Sequence, residues 1–226
     1  MKKRISLVIF LIIIISLGLS LKNVKASDAG KHLFVLSGQS NMVLLDINKS
    51  FVPTIEQKFG EENVIFVKYA LGGQAIRKWM NNQTCDSDGV LYDILISDIF
   101  QAIEGEKNIE SITFIWMQGE SDTNGIYSFI YKKNLHRLMS QLRNDLGRDD
   151  INVVIGRISD TRMGVQAWMR VRWAQIAFAN SNDRYLIVNT DDLNGVSNGI
   201  HYTQGGYFIL GKRFANNAIR LIMSEK

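Results

Sequence analysis

Cysteine and proline are almost absent, with one of each in 226 residues, and histidine occurs three times. A lone Cys85 excludes an intrachain disulfide framework and a cysteine-based zinc site. It lies in a polar stretch, 81–88, with no local signature of an activated thiol. Asp86 and Asp88 in that stretch have no histidine or cysteine at ligand spacing, so no metal site is expected. Pro53 is the sole proline, and neither a Ser/Gly-rich linker nor an internal repeat interrupts the chain, which argues against tandem modules.

An excess of one charge is also missing once the N-terminus is set aside. Lys2-Lys3-Arg4, an almost unbroken apolar run over 5–21 and Val24-Lys25-Ala26 have the layout of a secretory signal cleaved after Ala26. The run is nearly long enough to cross a bilayer, so a retained anchor is the alternative, and the only route to a membrane. Residues 1–26 carry five of the 26 basic residues and no acidic one. That leaves 21 basic against 22 acidic residues and a net charge of −1. The formal +4 of the whole chain therefore belongs to the leader and lends no support to nucleic-acid binding. Residues 27–226 suffice for one domain with a real core. Oligomeric state leaves no mark in the sequence.

What is present alternates. Strand-like apolar runs occur at 32–36, 64–69, 112–117, 152–158 and 185–189. Between them, Leu91, Leu95, Ile99 and Ala102 share a helical face, as do Tyr131, Leu135, Leu138 and Leu142. A third helix is expected over about 165–179. A fourth carries Tyr207, Leu210, Phe214, Ala218 and Leu221, while 44–60 reads as a loop with a short helix. Strand–helix alternation at these lengths predicts a parallel five-stranded sheet covered on both faces, a three-layer α/β/α sandwich.

Ligands meet such a sheet at the carboxyl ends of its strands, and four unusual loops fall there. Gly38-Gln39-Ser40-Asn41-Met42 follows the first strand, and Gly72-Gly73-Gln74-Ala75-Ile76-Arg77-Lys78-Trp79 the second. Trp116-Met117-Gln118-Gly119-Glu120-Ser121-Asp122 follows the third, and Asn198-Gly199-Ile200-His201 precedes the last helix. Ser40, beside a glycine just past a strand, is a candidate nucleophile, although the same tetrapeptide also reads as a plain turn.

The motifs Gly-Gln-Ser-Asn-Met, Gly-Gly-x-x-Ile-x-x-Trp and Trp-x-Gln-Gly-Glu-x-Asp, in this order with a late histidine, resemble the SGNH hydrolases. The closer resemblance is to the carbohydrate acetylesterases of the sialate O-acetylesterase-like group and carbohydrate esterase family 6. It runs from about His32 to the C-terminus. It implies a flavodoxin-like fold and a serine esterase removing acetyl groups from sugars with neither metal nor organic cofactor. The serine needs a base. His32 opens the first strand at the wrong end of the sheet, and His136 lies among Lys132, Lys133 and Arg137 on a polar helix face. His201 remains, where the family keeps its base. The resemblance also implies an oxyanion hole from the N–H groups of Ser40 and Gly73 and the side-chain amide of Gln118, glutamine being normal in this branch.

The third triad member is the anomaly. The broader pattern has aspartate three residues before the histidine, and here Asn198 stands there. An asparagine can orient an imidazole but brings no charge; in a serine protease the equivalent change costs roughly ten-thousandfold. Three accounts stay open: Glu120 supplies the acid, as in some relatives; Asp191 or Asp192 swings in; or the enzyme is slow or inactive. Asp122 reads as helix-entry structure. Arg77 and Arg162, after strands two and four, are candidates to bind sugar hydroxyls or carboxylates, with surface salt bridges the default. Trp79 is a candidate to stack on a sugar ring and Trp168 another, with core packing the favoured reading for both. The expected protein is a secreted esterase acting on an acetylated carbohydrate through an acyl-enzyme. The rivals are a non-catalytic carbohydrate-binding protein on the same fold and a lipase or thioesterase of the same superfamily. A lipase or thioesterase would be expected to build a longer acyl groove.

Overall fold

The computed structural model describes residues 30–80 and 89–224; the leader and Cys85 lie outside them. Five strands, β1 (Lys31–Gly38), β2 (Val64–Ala70), β3 (Ile109–Met117), β4 (Asn152–Gly156) and β5 (Tyr185–Val188), form one sheet of order β2-β1-β3-β4-β5. Every pairing is parallel.

The layers follow from the two-residue period of a strand. Leu33 and Val35 of β1, Phe114 and Trp116 of β3, and Val153 and Ile155 of β4 point into one core. It is closed by α3 (Val90–Ala102), α4 (Tyr127–Leu146) and α5 (Gln166–Ala179). The alternate residues Phe34, Leu36, Ile115, Met117 and Val154 point into a second core under α2 (Phe51–Phe59) and α6 (Gln204–Ser224). The central strands are thus apolar on both faces, as a fully covered parallel sheet requires. A five-residue helix, α1 (Ser40–Leu44), follows β1 directly.

The segment read as loop with a short helix is ordered as α2, flanked by 3-10 turns at Ile47–Lys49 and Glu61–Asn63. β3 starts at Ile109, because Ile109 and Ser111 still pair with β1. β4 stops at Gly156 rather than 158, since the chain turns there to hand Ile158 N–H to the side chain of Gln175, 3.0 Å away.

The register positions the site. Ala70, Gly38, Met117, Gly156 and Val188 are successive partners across all five strands. The five loops that follow therefore leave one level edge. The order β2-β1-β3 places the topological switch between β1 and β3, where an open α/β sheet has its crevice. The chain crosses this row closely. Gly38 has φ +145°, and a Cβ there would lie 2.0 Å from the carbonyl oxygen of Met117, so only glycine fits.

Candidate active site

Ser40 is the first residue of α1, carried to the switch point by β1. Its Oγ lies 3.1 Å from Nε2 of His201, which arrives from the loop between β5 and α6. The two residues, far apart in sequence, are brought to hydrogen-bond distance. The Gly72-Gly73 turn lies alongside, with a Cβ at Gly72 falling 4.0 Å from that of Ser40 and Gly73 in the left-handed region at φ +72°. Among the described residues, neither the Ser40 N–H nor the Gly73 N–H donates to a protein acceptor.

Gln118 lies at the expected edge, but its side chain is engaged by the protein. It is fully buried. Its Nε2 lies 2.6 Å from Asp122 Oδ2, 3.1 Å from Gln39 Oε1 and 3.1 Å from the Gln74 carbonyl oxygen. Its Oε1 accepts from Tyr131 at 3.0 Å. An amide has two N–H groups, and protein acceptors take both. Gln118 therefore fastens the Gly-Gly loop to the Ser40 loop instead of presenting a donor to a substrate. Asp122 is the other half of this fastening, and it also accepts from Ile76 N–H at 2.9 Å. Burial raises its pKa, while those hydrogen bonds and the charge of Arg77 work the other way.

Glu120 reaches the site through Asn41. Asn41 Nδ2 donates to Glu120 Oε1 at 2.7 Å and to the carbonyl of Ile200, the residue before His201, at 3.1 Å. Its Oδ1 accepts from Tyr207 at 2.8 Å. No hydrogen bond joins Glu120 to His201 among the described residues. Glu120 Oε2 is sealed from solvent and has no hydrogen-bond partner there. Burial pushes this carboxyl up to about 7, against the opposing hydrogen bonds from backbone and Asn41. Asn41, in the quoted motif but given no role, is thus the residue the sequence reading missed. Its partners lie 79, 159 and 166 positions away, and no local pattern signals them.

The remaining acids are committed elsewhere. Asp191 is held bidentately by Arg172 at 2.9 and 3.0 Å and by Arg157 at 2.6 Å. Asp192 pairs with both terminal nitrogens of Arg213 at 2.7 Å. Neither is free to swing toward His201. Asn198 sits in the left-handed region at φ 44°. Its Oδ1 accepts from Asn194 at 2.7 Å and its carbonyl accepts from Thr161, and no hydrogen bond joins it to His201 among the described residues.

The candidate sugar-binding residues divide. Trp79 is fully buried, edge-on to Trp116 at 5.5 Å and to Tyr69 at 5.7 Å. It offers no face to a sugar, which corrects the stacking role; Trp168, at 1% exposure, is likewise core. Arg77 lies over the Tyr127 ring at 4.1 Å and beside Asp122. Arg162 is exposed, 5.5 Å from the Trp168 ring, in the loop that Thr161 ties to Asn198. His32 bonds Ser111 at 2.8 Å at the far end of the sheet, and His136 packs on Phe178, 4.8 Å away. No group of three metal-ligating side chains occurs among the described residues, nor does any helix long and apolar enough to cross a membrane.

The sequence matches the family model described as carbohydrate esterase, sialic acid-specific acetylesterase, over residues 45–220. The chain belongs to this family. It is by that membership a carboxylic ester hydrolase of the carbohydrate acetylesterase type. Ser40 lies just outside the matched span, and Gly73, Gln118, Glu120 and His201 lie within it.

Solved structures agree on the fold. A protein from Arabidopsis thaliana superposes with a TM-score of 0.69 at 20% identity, covering 84% of this chain and 98% of that one. A carbohydrate acetylesterase from Xanthomonas citri gives 0.69 at 14% identity, covering 85% of this chain and 57% of that one. A carbohydrate esterase family 3 protein from Talaromyces cellulolyticus gives 0.58 at 13% identity, covering 85% and 99%. The architecture is the three-layer SGNH hydrolase fold. No curated protein sequence matches the chain.

Proposed function

We propose that this esterase is exported by its leader and hydrolyses O-acetyl esters of a carbohydrate through an acyl-serine. The observation that carries the reading is the 3.1 Å approach of Ser40 Oγ to His201 Nε2.

In the tautomer the reaction needs, neutral His201 keeps its proton on Nδ1 and takes the Ser40 proton on Nε2. Oγ bonds to the acetyl carbon, and the carbonyl π electrons move to oxygen. In this reading the N–H groups of Ser40 and Gly73, which no protein acceptor takes among the described residues, hold that oxyanion. Collapse breaks the bond to the sugar oxygen, which leaves with the proton from Nε2. Water, deprotonated by the same imidazole, then releases acetate and restores Ser40.

Gln118 serves here as a positioning residue, fixing the Gly73 loop against Gln39. Glu120 takes the acid's part from a distance. Its charge favours the imidazolium, and Asn41 links it to the backbone that carries His201. Asn198 supports the turn. A second reading, a weakly active or inactive carbohydrate-binding protein, is favoured by one feature: His201 is exposed and has no acidic hydrogen-bond partner among the described residues.

Acetate release from 4-nitrophenyl acetate and from an acetylated polysaccharide tests the choice. Activity is expected, with Ser40→Ala lowering kcat by about a thousandfold or more. A folded protein that releases no acetate from either substrate, or a Ser40→Ala variant as active as the parent, would overturn the esterase reading.

A further inference from the structure

Three of the four tryptophans are buried, but Trp173 is 59% exposed. It stands on the outer face of α5 with Gln166, Met169 and Arg170, at the spacing of successive helical turns. Together with Met163 and Gly164 of the β4–α5 loop, these residues line an open cavity of about 320 Å³, within the range of small-ligand sites. This loop follows β4 at the sheet edge that also carries Ser40, and its Thr161 donates to the carbonyl of Asn198, three residues before His201.

The polar lining is selective in sign. Arg170 Nε donates to Ser128 Oγ at 3.0 Å, and its guanidinium lies 4.0 Å from the centre of the exposed Phe129 ring. Both contacts fix the plane of the fork. No protein acceptor takes its terminal nitrogens among the described residues, and no acidic side chain lines the cavity. A pre-oriented guanidinium with both terminal nitrogens available suits a carboxylate. The exposed indole face beside it suits the C–H face of a sugar ring, and Gln166 adds an amide for hydroxyls.

We propose that this cavity is a subsite for a carboxylate-bearing sugar ring, a uronate unit of the glycan whose acetyl group reaches Ser40. The assignment rests on the esterase reading for its link to catalysis, but binding is measurable without turnover. In this arrangement the ring stacks on Trp173 and its carboxylate pairs with Arg170, so the enzyme grips the chain at a distance from the ester.

The test is calorimetric titration of the protein with trigalacturonate and with neutral xylotriose. Saturable binding of trigalacturonate is expected, with xylotriose about tenfold weaker or worse. Trp173→Ala and Arg170→Gln should each weaken trigalacturonate by about tenfold. Arg170→Lys, which keeps the charge without the fork, should fall between. Thermal unfolding shows that the variants fold. Acrylamide quenching gives a second readout, because Trp173 is the exposed indole and bound trisaccharide should shield it. Absence of binding by folded protein, or binding indifferent to both Trp173→Ala and Arg170→Gln, would overturn the subsite. Equal affinity for xylotriose would overturn the carboxylate assignment. Acetate release without such binding would sink the subsite alone. Binding without acetate release would sink the esterase reading and leave the subsite standing.

Discussion

Ser40 and His201 meet at 3.1 Å, yet the segments that bring them there are held in different ways. The serine side is tied at every step to the sheet edge. Gln39 N–H donates to Met117, Leu71 N–H donates to Gly38, and the buried amides of Gln39 and Gln118 join the two loops. The histidine side is a long segment without regular structure between β5 and α6, and it is secured at its root. There Asp191 and Asp192 are gripped by Arg157, Arg172 and Arg213. Beyond that root, Thr161, Asn194 and Asn41 reach the loop through hydrogen bonds to the backbone or to Asn198. Ser40 and the free N–H donors are thus built into the scaffold, while His201 is presented on an arm. Asn41 is the residue common to both, since it follows Ser40 and bonds the carbonyl before His201. It also bonds Glu120.

Removing the charge at Glu120 breaks this comparison most severely. Glu120→Gln keeps an acceptor for Asn41 and removes the anion, so geometry is retained and electrostatics lost. A directly bonded triad acid is worth roughly ten-thousandfold; an acid acting across Asn41 should be worth roughly 10- to 100-fold in kcat. The pH profile separates charge from structure. The Glu120 carboxyl, held up to about 7, ionises as pH rises through neutrality, so parental kcat should climb through that region by a limb that Glu120→Gln lacks.

Stability moves oppositely. The folded pKa lies above the ordinary 4.5, so between about 4.5 and 7 the folded chain holds the proton more tightly than the unfolded chain. Stability therefore falls as pH rises across that window, by on the order of 3 kcal/mol, and levels off above it. Thermal unfolding at stepped pH should show this decline in the parent and its loss in Glu120→Gln. Equal kcat in the two proteins at pH 8 would remove Glu120 from the mechanism.

Loosening the root of the arm is the next effect in size. Arg172 is 4% exposed and forks onto Asp191. Removing one partner of a buried pair typically costs 3–5 kcal/mol, but Arg157 still neutralises Asp191, so Arg172→Met should cost about 2 kcal/mol. A several-fold drop in kcat should accompany it at temperatures where the variant stays folded. Arg213→Met, which opens the exposed pair with Asp192, should cost less than about 1 kcal/mol. Denaturant unfolding of both variants checks the contrast; equal losses would mean that the arm is not held at its buried root.

How much of this is legible in the sequence follows the same division. Strand positions were readable because residues such as Leu33 to Leu36 are apolar on both faces, and a covered parallel sheet leaves that mark. Ser40, Gly73 and Glu120 could be placed at one edge because each follows a strand. Gln118 and Trp79 mark where that reading stops. Motif position says which edge a residue occupies but not whether its donors meet a substrate or a neighbour. Gln118 meets Asp122 and Trp79 meets Trp116, both through contacts between separate loops and strands. Asn41 and Trp173 carry no signal of their surroundings in the sequence for a related reason. The exposure of Trp173 depends on which face of α5 the sheet covers, and α5 has apolar residues on several sides.

The smallest effect concerns Asn198, the residue that stands where an acid was expected. Its φ of 44° is one that Asn, Asp and Gly accept and that costs other residues about 1 kcal/mol or more. Its side chain serves Asn194 rather than His201. Asn198→Ala should therefore lower stability by about 1 kcal/mol and kcat by no more than about threefold, far less than Glu120→Gln. Asn198→Gly, which relieves the backbone but also loses the acceptor for Asn194, should be nearer neutral in stability. Asn198→Asp keeps both the conformation and the acceptor, and it adds an anion near Asp160, which Asn194 also contacts at 3.3 Å. It should stay active. Melting temperatures and kcat of the three variants, set beside Glu120→Gln, decide the point. If Asn198→Ala lost as much turnover as Glu120→Gln while remaining folded, the imidazole would be oriented from Asn198, and the arm would carry its own third member.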